Sequence, residues 1–244
     1  MPRRYWRNLP EAACIPDMIR GAPARVREMI EREAAAPMKR NPDKAVAAMA
    51  DQEPKTLDDL NRIIAASDPF VEGGTRAVLG EGPLNPPIAL VGEQPGDQED
   101  AQGRPFVGPA GQLLDRALGE AGLARADLYV TNAVKHFKFV QQGRRRLHKS
   151  PTAGEVKHYR WWLDRELELV RPRVIVALGA TAVLALAGKP LPITRSRGEA
   201  SFENRRGVIT YHPSYLLRVP DAARKAAAWG EFVSDLRLAR TLAG

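Results

Sequence analysis

The sequence predicts an α/β fold: a three-layer α/β/α sandwich around a central four-stranded parallel sheet, with an N-terminal helical extension. Three observations carry this. Four short apolar runs read as strands buried on both faces. Stretches with helical spacing alternate with them, as parallel sheets require. One connection, Gly92–Leu114, is about three times the usual strand-to-helix length. It leaves the C-terminal end of a strand, where open α/β sheets place their ligands.

The chain has 244 residues, 44% of them hydrophobic, enough for one large domain or one domain and an appendage. Residues 1–55 are rich in Ala, Arg and Glu and show no strand signal. Helical spacing runs over Ala24–Ala36, with Pro23 suited to its first turn and prolines following at 37, 42 and 54. We read this part as one or two helices and a linker, and residues 56–244 as the main domain. The main domain opens with a helix, Leu57–Ala66. The strands are Ile88–Val91, Leu128–Thr131, Val174–Leu178 and Val208–Thr210. The helices between and after them are Ala110–Leu123, Gly154–Val170, Ala180–Ala187 and Asp221–Leu242. Right-handed crossovers put the loops after the four strands on one edge. Those loops, GEQPG…RPFVGP, NAVKHFKF, GATA and HPSYLLR, are expected to converge in one cleft.

The net charge is +8 and the isoelectric point about 9.9, which favours polyanion partners, nucleic acid first. Eight of the fifteen residues of Lys135–Lys149 are Lys, Arg or His. Gly143 and the lack of helical periodicity there predict a mobile loop. No apolar run reaches the roughly 20 residues of a membrane span, and no secretory signal is expected at the N-terminus. Cys14 is the single cysteine, which fits a reducing cytoplasm and excludes a site built on several thiolates.

The long loop holds five glycines, three prolines, four carboxylates and one phenylalanine. Glu93 can act as a general base or stabilise a cationic transition state; its plainer reading is a charge near a helix N-terminus. Asp97, Glu99 and Asp100 add negative charge and can alternatively form a magnesium site. Phe106, between proline and glycine turns, suits a base-stacking platform or an ordinary core position. Asn132, ending the second strand, can read a base edge or cap a helix. His212, after the fourth strand, can donate to a developing oxyanion or serve the structure alone. Ser214 can contact phosphate, and Tyr215, Leu216, Leu217 and Arg218 can wedge into a base stack. Arg144, Arg145, Arg146 and Lys149 suit phosphates. His148 can join them or act as a nucleophile on a sugar. The absence of G-x-G-x-x-G after the first strand argues against a dinucleotide enzyme.

Together, GEQPGDQED (92–100), GRPFVGPAG (103–111), YVTNAVKHFKF (129–139), RRRLHK (144–149), LGATA (178–182) and HPSYLLR (212–218) resemble a uracil-DNA glycosylase, most closely the UdgX branch related to the iron–sulfur family 4 enzymes. The resemblance spans about Thr56 to Gly244. It implies a repair enzyme that flips uracil out of DNA and cleaves its N-glycosidic bond, with uracil-containing DNA as partner. By resemblance, Glu93 and Gln94 lie in the catalytic loop, with Asp100 in its acidic continuation. Gln94 and Asp100 are candidates for excluding the thymine methyl. Phe106 stacks on uracil, Asn132 bonds N3–H and O4, and His212 bonds O2. Leu217 belongs to the turn that helps extrude the nucleotide. His148 matches the histidine that attacks C1′ in UdgX and leaves protein joined to DNA; in hydrolytic relatives water attacks instead.

The resemblance breaks at the cluster. Relatives hold a [4Fe–4S] centre, whose positions here read about Ala65, Asp68, His136 and Tyr159. One cysteine and one histidine do not make four ligands, so no cluster and no other cofactor are expected. Packing by Phe70, Tyr159, Trp161, Trp162 and the N-terminal segment is expected to replace it, with His136 a structural remnant. Residues 1–36 resemble the tail of a helical domain fused upstream of some UdgX-like proteins. We expect a monomer. A non-catalytic uracil-DNA sensor is the rival reading, against which Glu93 and His212 argue.

Overall fold

A computed structural model describes residues 53–244, so the helices read in 1–52, and Cys14, lie outside it. The strands fold as their apolarity dictates. β1 (Ile88–Gly92), β2 (Tyr129–Asn132) and β5 (Val174–Leu178) are buried at every position. With β7 (Arg205–Thr210) they form parallel neighbours in the order β2-β1-β5-β7. A fifth strand, β6 (Gly198–Phe202), adds antiparallel to the β7 edge. The sequence reading lacked it because an edge strand with one wet face carries no continuous apolar run.

Side chains alternate between the faces with the period of two that strands impose. Ala89, Val91, Ile175, Ala177 and Ile209 pack beneath α1 (Leu57–Ala66), α4 (Ala153–Val170) and α5 (Ala180–Ala187), meeting Leu60, Leu163 and Val183. Ile88, Leu90, Val130, Val176 and Val208 face the other way, against Leu114 and Leu118 of α3 (Pro109–Ala121) and Phe232 and Leu236 of α8 (Ala222–Ala243). These are the two outer layers of the sandwich. α1 starts on a reciprocal cap in which Thr56 and Asp59 bond each other's backbone, and α4 repeats the device with Thr152 and Glu155.

Three further elements lie outside the strand–helix alternation. The long loop folds in its middle into a short polar helix, α2 (Asp97–Gln102). The basic stretch expected to be a mobile loop is a two-stranded hairpin, β3 (Phe139–Gln142) with β4 (Arg145–His148), separate from the main sheet. Gly143 takes a left-handed conformation (φ 58°) in its turn, which supplies the reversal a flexible loop does not need. Pro213–Arg218 forms α7, preceded by the one-turn α6 (Ile193–Ser196). Parallel register places Gly92 beside Asn132, and Leu178 beside Thr210. The segments that follow these four strands therefore leave from one edge.

Candidate active site

At that edge lies a cavity of about 530 Å³, lined by Glu93, Phe106, Asn132, His148 and His212, and also by Gln94, Glu99, Ser214 and Arg218. Its floor is set by Gly92. A Cβ there would collide with both the Phe106 ring and the Asn132 amide, so glycine is what lets these two side chains lie together over the end of β1. The Asn132 Oδ1 is buried and has no partner. Such an acceptor is costly unless a ligand donates to it.

Phe106 is held under strain. Its backbone has φ 53°, a conformation that bulky residues rarely take. Two anchors hold it there. Glu99 turns inward and accepts from the backbone N–H of Val107 and Gly108, and from that of Gly96. Arg125 donates to the carbonyls of Pro105 (2.7 Å) and Phe106 (3.1 Å) and pairs with Asp115 (2.7 Å). The Phe106 ring lies 6.0 Å from that of His212, centroid to centroid.

His212 ends as the cap of α7. Its Nδ1 accepts from the Ser214 backbone N–H at 3.2 Å and lies 2.8 Å from the Ser214 hydroxyl. Burial pushes its pKa down to about 4, helped by His148 and Arg218. The ring is neutral at pH 7, and with Nδ1 accepting, its proton sits on Nε2 as a donor. Glu93 follows β1; its Oε2 accepts from the Thr181 hydroxyl at 2.9 Å, and its Oε1 is buried without a hydrogen bond. His148 Nε2 lies 3.6 Å from Oε1.

His148 reaches the cavity because the hairpin is pinned. Gln94 donates to the carbonyls of Lys138 and Lys149 and accepts from the Lys138 N–H, one amide holding both ends of β3–β4. Gln94, expected as a candidate for excluding the thymine methyl, lines the cavity with its amide engaged by backbone. Asp100 needs a correction. It lies outside the cavity lining, and its carboxylate is bound by Thr75 and Arg146. Arg146 is correspondingly turned inward, pairing also with Asp97 and lying over Phe137 and Phe139, whereas it was expected on phosphate. Strand alternation explains this: residues 146 and 148 share one face of β4, and that face meets α2. Arg144, Arg145 and Lys149 remain exposed, as do Leu217 and Arg218, and Ser214 is partly buried. Asp97 and Asp100 share Arg146 while Glu99 turns to backbone N–H groups, and among the described residues no group of His, Cys, Asp and Glu could hold a metal ion.

Residues 79–237 match the uracil DNA glycosylase superfamily, about two-thirds of the chain. This chain belongs to that superfamily. A type-4 uracil-DNA glycosylase of Thermotoga maritima is 43% identical over 147 residues, 59% of this chain and 73% of that protein. Another, of Pyrobaculum aerophilum, is 36% identical over 193 residues, 75% of this chain and 92% of that protein. A third, of Archaeoglobus fulgidus, is 35% identical over 201 residues, 78% of this chain and 94% of that protein.

In this chain the places assigned by resemblance to cluster ligands are taken by other contacts. The Tyr159 hydroxyl accepts from the Phe70 N–H (3.0 Å) and lies 2.8 Å from His136 Nδ1. Phe70 stacks on His158, and Tyr159 and Trp162 meet edge to face, whereas Trp161 points to solvent. Burial holds the His136 pKa down at about 4. One imidazole and a phenol, with no thiolate among the described residues, do not fit a cubane that needs four ligands. Sequence reasoning missed Gly92, Thr181 and Arg125 as parts of the site. Gly92 and Thr181 stood in quoted motifs, GEQPG and GATA; Arg125 carried no local signal. No helix of the described residues is long and apolar enough to cross a membrane.

Two outcomes are expected. Removing Arg125 with an alanine frees two carbonyls and unclamps the strained Phe106. It should cost about 1–3 kcal/mol in denaturant unfolding, with only part recovered by Arg125→Lys, because an ammonium lacks the fork. Unchanged stability would mean the clamp is idle. The second outcome concerns pH. Both His136 and His212 are depressed from 6.5 to about 4. The unfolded chain therefore takes up protons that the folded one refuses, and stability falls as pH drops below about 6.5. The melting temperature should already decline between pH 6.5 and 5, above most carboxylate titration; a flat curve there would contradict two buried neutral imidazoles.

Proposed function

We propose that this protein excises uracil from DNA and captures the resulting sugar on His148. The observation that carries the reading is the orphan acceptor of Asn132 beside the Phe106 ring, with a neutral donor at His212 on the same cavity. Uracil presents that complement: an aromatic face, an N3–H donor and carbonyl acceptors. Asn132 Oδ1 takes N3–H while its amide donates to O4. Cytosine has no N3–H and carries an amino group where uracil has O4, so the same amide rejects it. Flipping costs a few kcal/mol, offset by these contacts and by phosphates held on Arg144, Arg145, Lys149, Ser214 and Arg218.

In the chemical step the bond between C1′ and N1 breaks, and the electron pair leaves with uracil. The Nε2–H of His212 donates to O2 and stabilises the anion where its charge develops. The Glu93 carboxylate opposes the positive charge growing on the sugar. Glu93 takes the proton from the His148 nitrogen facing it, and the lone pair so freed bonds to C1′, leaving an alkylated imidazole, a protonated carboxylate and the uracil anion. Glu93 and His148 at 3.6 Å support this pairing of base and nucleophile. If a water occupies the place of His148, the same carboxylate activates it and the protein turns over as a hydrolase. The single cysteine accords with a reducing, cytoplasmic setting.

A denaturing gel with a uracil-containing oligonucleotide tests the reaction. Wild type should give a heat-stable protein–DNA adduct, and His148→Ala should lose it. Free abasic product without adduct would replace capture by hydrolysis. Binding with neither product would leave a sensor. Asn132→Ala should lower activity on uracil at least tenfold while affinity for uracil-free DNA is kept. We also propose that the protein works without an iron–sulfur cluster, which the donor set supports. Purified protein should then contain no stoichiometric iron; one cluster's worth, with broad visible absorbance, would overturn this.

A further inference from the structure

The cavity explains what receives one extruded base, but not what faces its neighbours in the strand. α7 supplies a candidate. Ser214 and Arg218 line the cavity, and Leu216 is buried in the core. At about 100° per residue, Tyr215 and Leu217 fall on opposite sides of the stripe through Ser214 and Arg218, each some 80° from it. Both are exposed, Tyr215 by 42% and Leu217 by 45%, so two large apolar groups flank the cavity-facing stripe.

Tyr215 differs from a stray surface aromatic in being backed. Its ring stacks on Tyr211, with centroids 5.0 Å apart and planes 28° from parallel. Tyr211 is itself fixed: its hydroxyl donates to Glu231 at 2.9 Å, and the Arg197 guanidinium lies 4.8 Å from its ring centre. Arg197 is held in turn by Glu231 and by Asp235, and Asp235 accepts from Thr210 at the end of β7. The chain of contacts runs from the sheet to the Tyr215 ring. A ring supported on one side and open on the other is a platform. Arg218, exposed three residues on, offers charge for the adjoining phosphate.

We propose that Tyr215 stacks on the DNA base next to the extruded nucleotide. Extrusion leaves each neighbouring base with one bare face, and every base has a π-face to offer, so the contact tolerates any sequence. The ligand is a nucleobase within a DNA strand, separate from the uracil in the cavity. This rests on the uracil reading above.

The test uses oligonucleotides in which the target is 2′-fluoro-deoxyuridine, whose electron-poor sugar resists cleavage, flanked on one side or the other by fluorescent 2-aminopurine. Binding of wild type should quench 2-aminopurine on one side, and Tyr215→Phe should preserve the quench. Tyr215→Ala should abolish it and weaken binding about tenfold, near the low end of one base–aromatic stack. Thermal melting of both variants shows that each is folded. Quenching that survives in Tyr215→Ala overturns the proposal, as does affinity lost with quenching unchanged, or no quenching on either side by wild type. Uracil release from an ordinary oligonucleotide is followed in parallel. Release by wild type without quenching sinks the platform alone, whereas absence of any release or adduct sinks the uracil reading.

Discussion

Gln94 places its side-chain amide on backbone at both ends of the β3–β4 hairpin, and the composition of the cavity follows from that. The hairpin shares no strand pairing with the main sheet. Without the amide, Lys138 and Lys149, and His148 with them, would lose their direct hydrogen bonds to the loop after β1. The three hydrogen bonds are buried or partly buried, where each lost partner leaves a backbone group unsatisfied. The ion pairs of Arg146 with Asp97 and Asp100 add a second tie between the same two segments. The Asp100 side is buried and therefore less screened than a surface pair. Glu93 and His148, 55 residues apart in sequence, meet because of these contacts.

A second polar assembly stabilises the other wall. Lys135 and Glu166 are fully buried and paired, with the hydroxyls of Thr131 and Tyr129 completing the carboxylate's partners. Burying two charges is expensive, and their attraction offsets this only when the remaining lone pairs and protons are matched. Here one residue follows Asn132 by three positions and the other lies within α4. The assembly fixes the chain just after β2, where Asn132 must stay while its acceptor remains unmatched.

The parallel sheet was legible because each of its four strands carries a short apolar run, a pattern that burial on both faces demands. The edge strand β6 and the hairpin were not, because residues such as Glu199, Arg145 and Gln141 face water and break any apolar run. Glu93, Phe106, Asn132 and His212 could be gathered into one cleft from sequence because all follow strand ends. Partner choice could not be read. That Gln94 serves Lys138 and Lys149, or that Arg146 turns to Asp100, depends on contacts across more than forty residues, and spacing within a motif does not encode them. The left-handed backbone of Phe106 was hidden for a similar reason: its clamp, Arg125, stands in an unremarkable stretch after α3.

The hairpin's separateness from the sheet has a consequence for how such a protein can diverge. The groups proposed to choose the base are rooted in the strands, in the glycine that ends β1 and in the clamp on Phe106. The group proposed to decide the fate of the sugar stands on an appendage. Changes in β3–β4 can therefore accumulate without disturbing which base is admitted, and changes in the strands are constrained by the core whatever the hairpin does. Under the proposed roles, base choice and the fate of the sugar reside in separate elements, joined through Gln94 and a pair of aspartates.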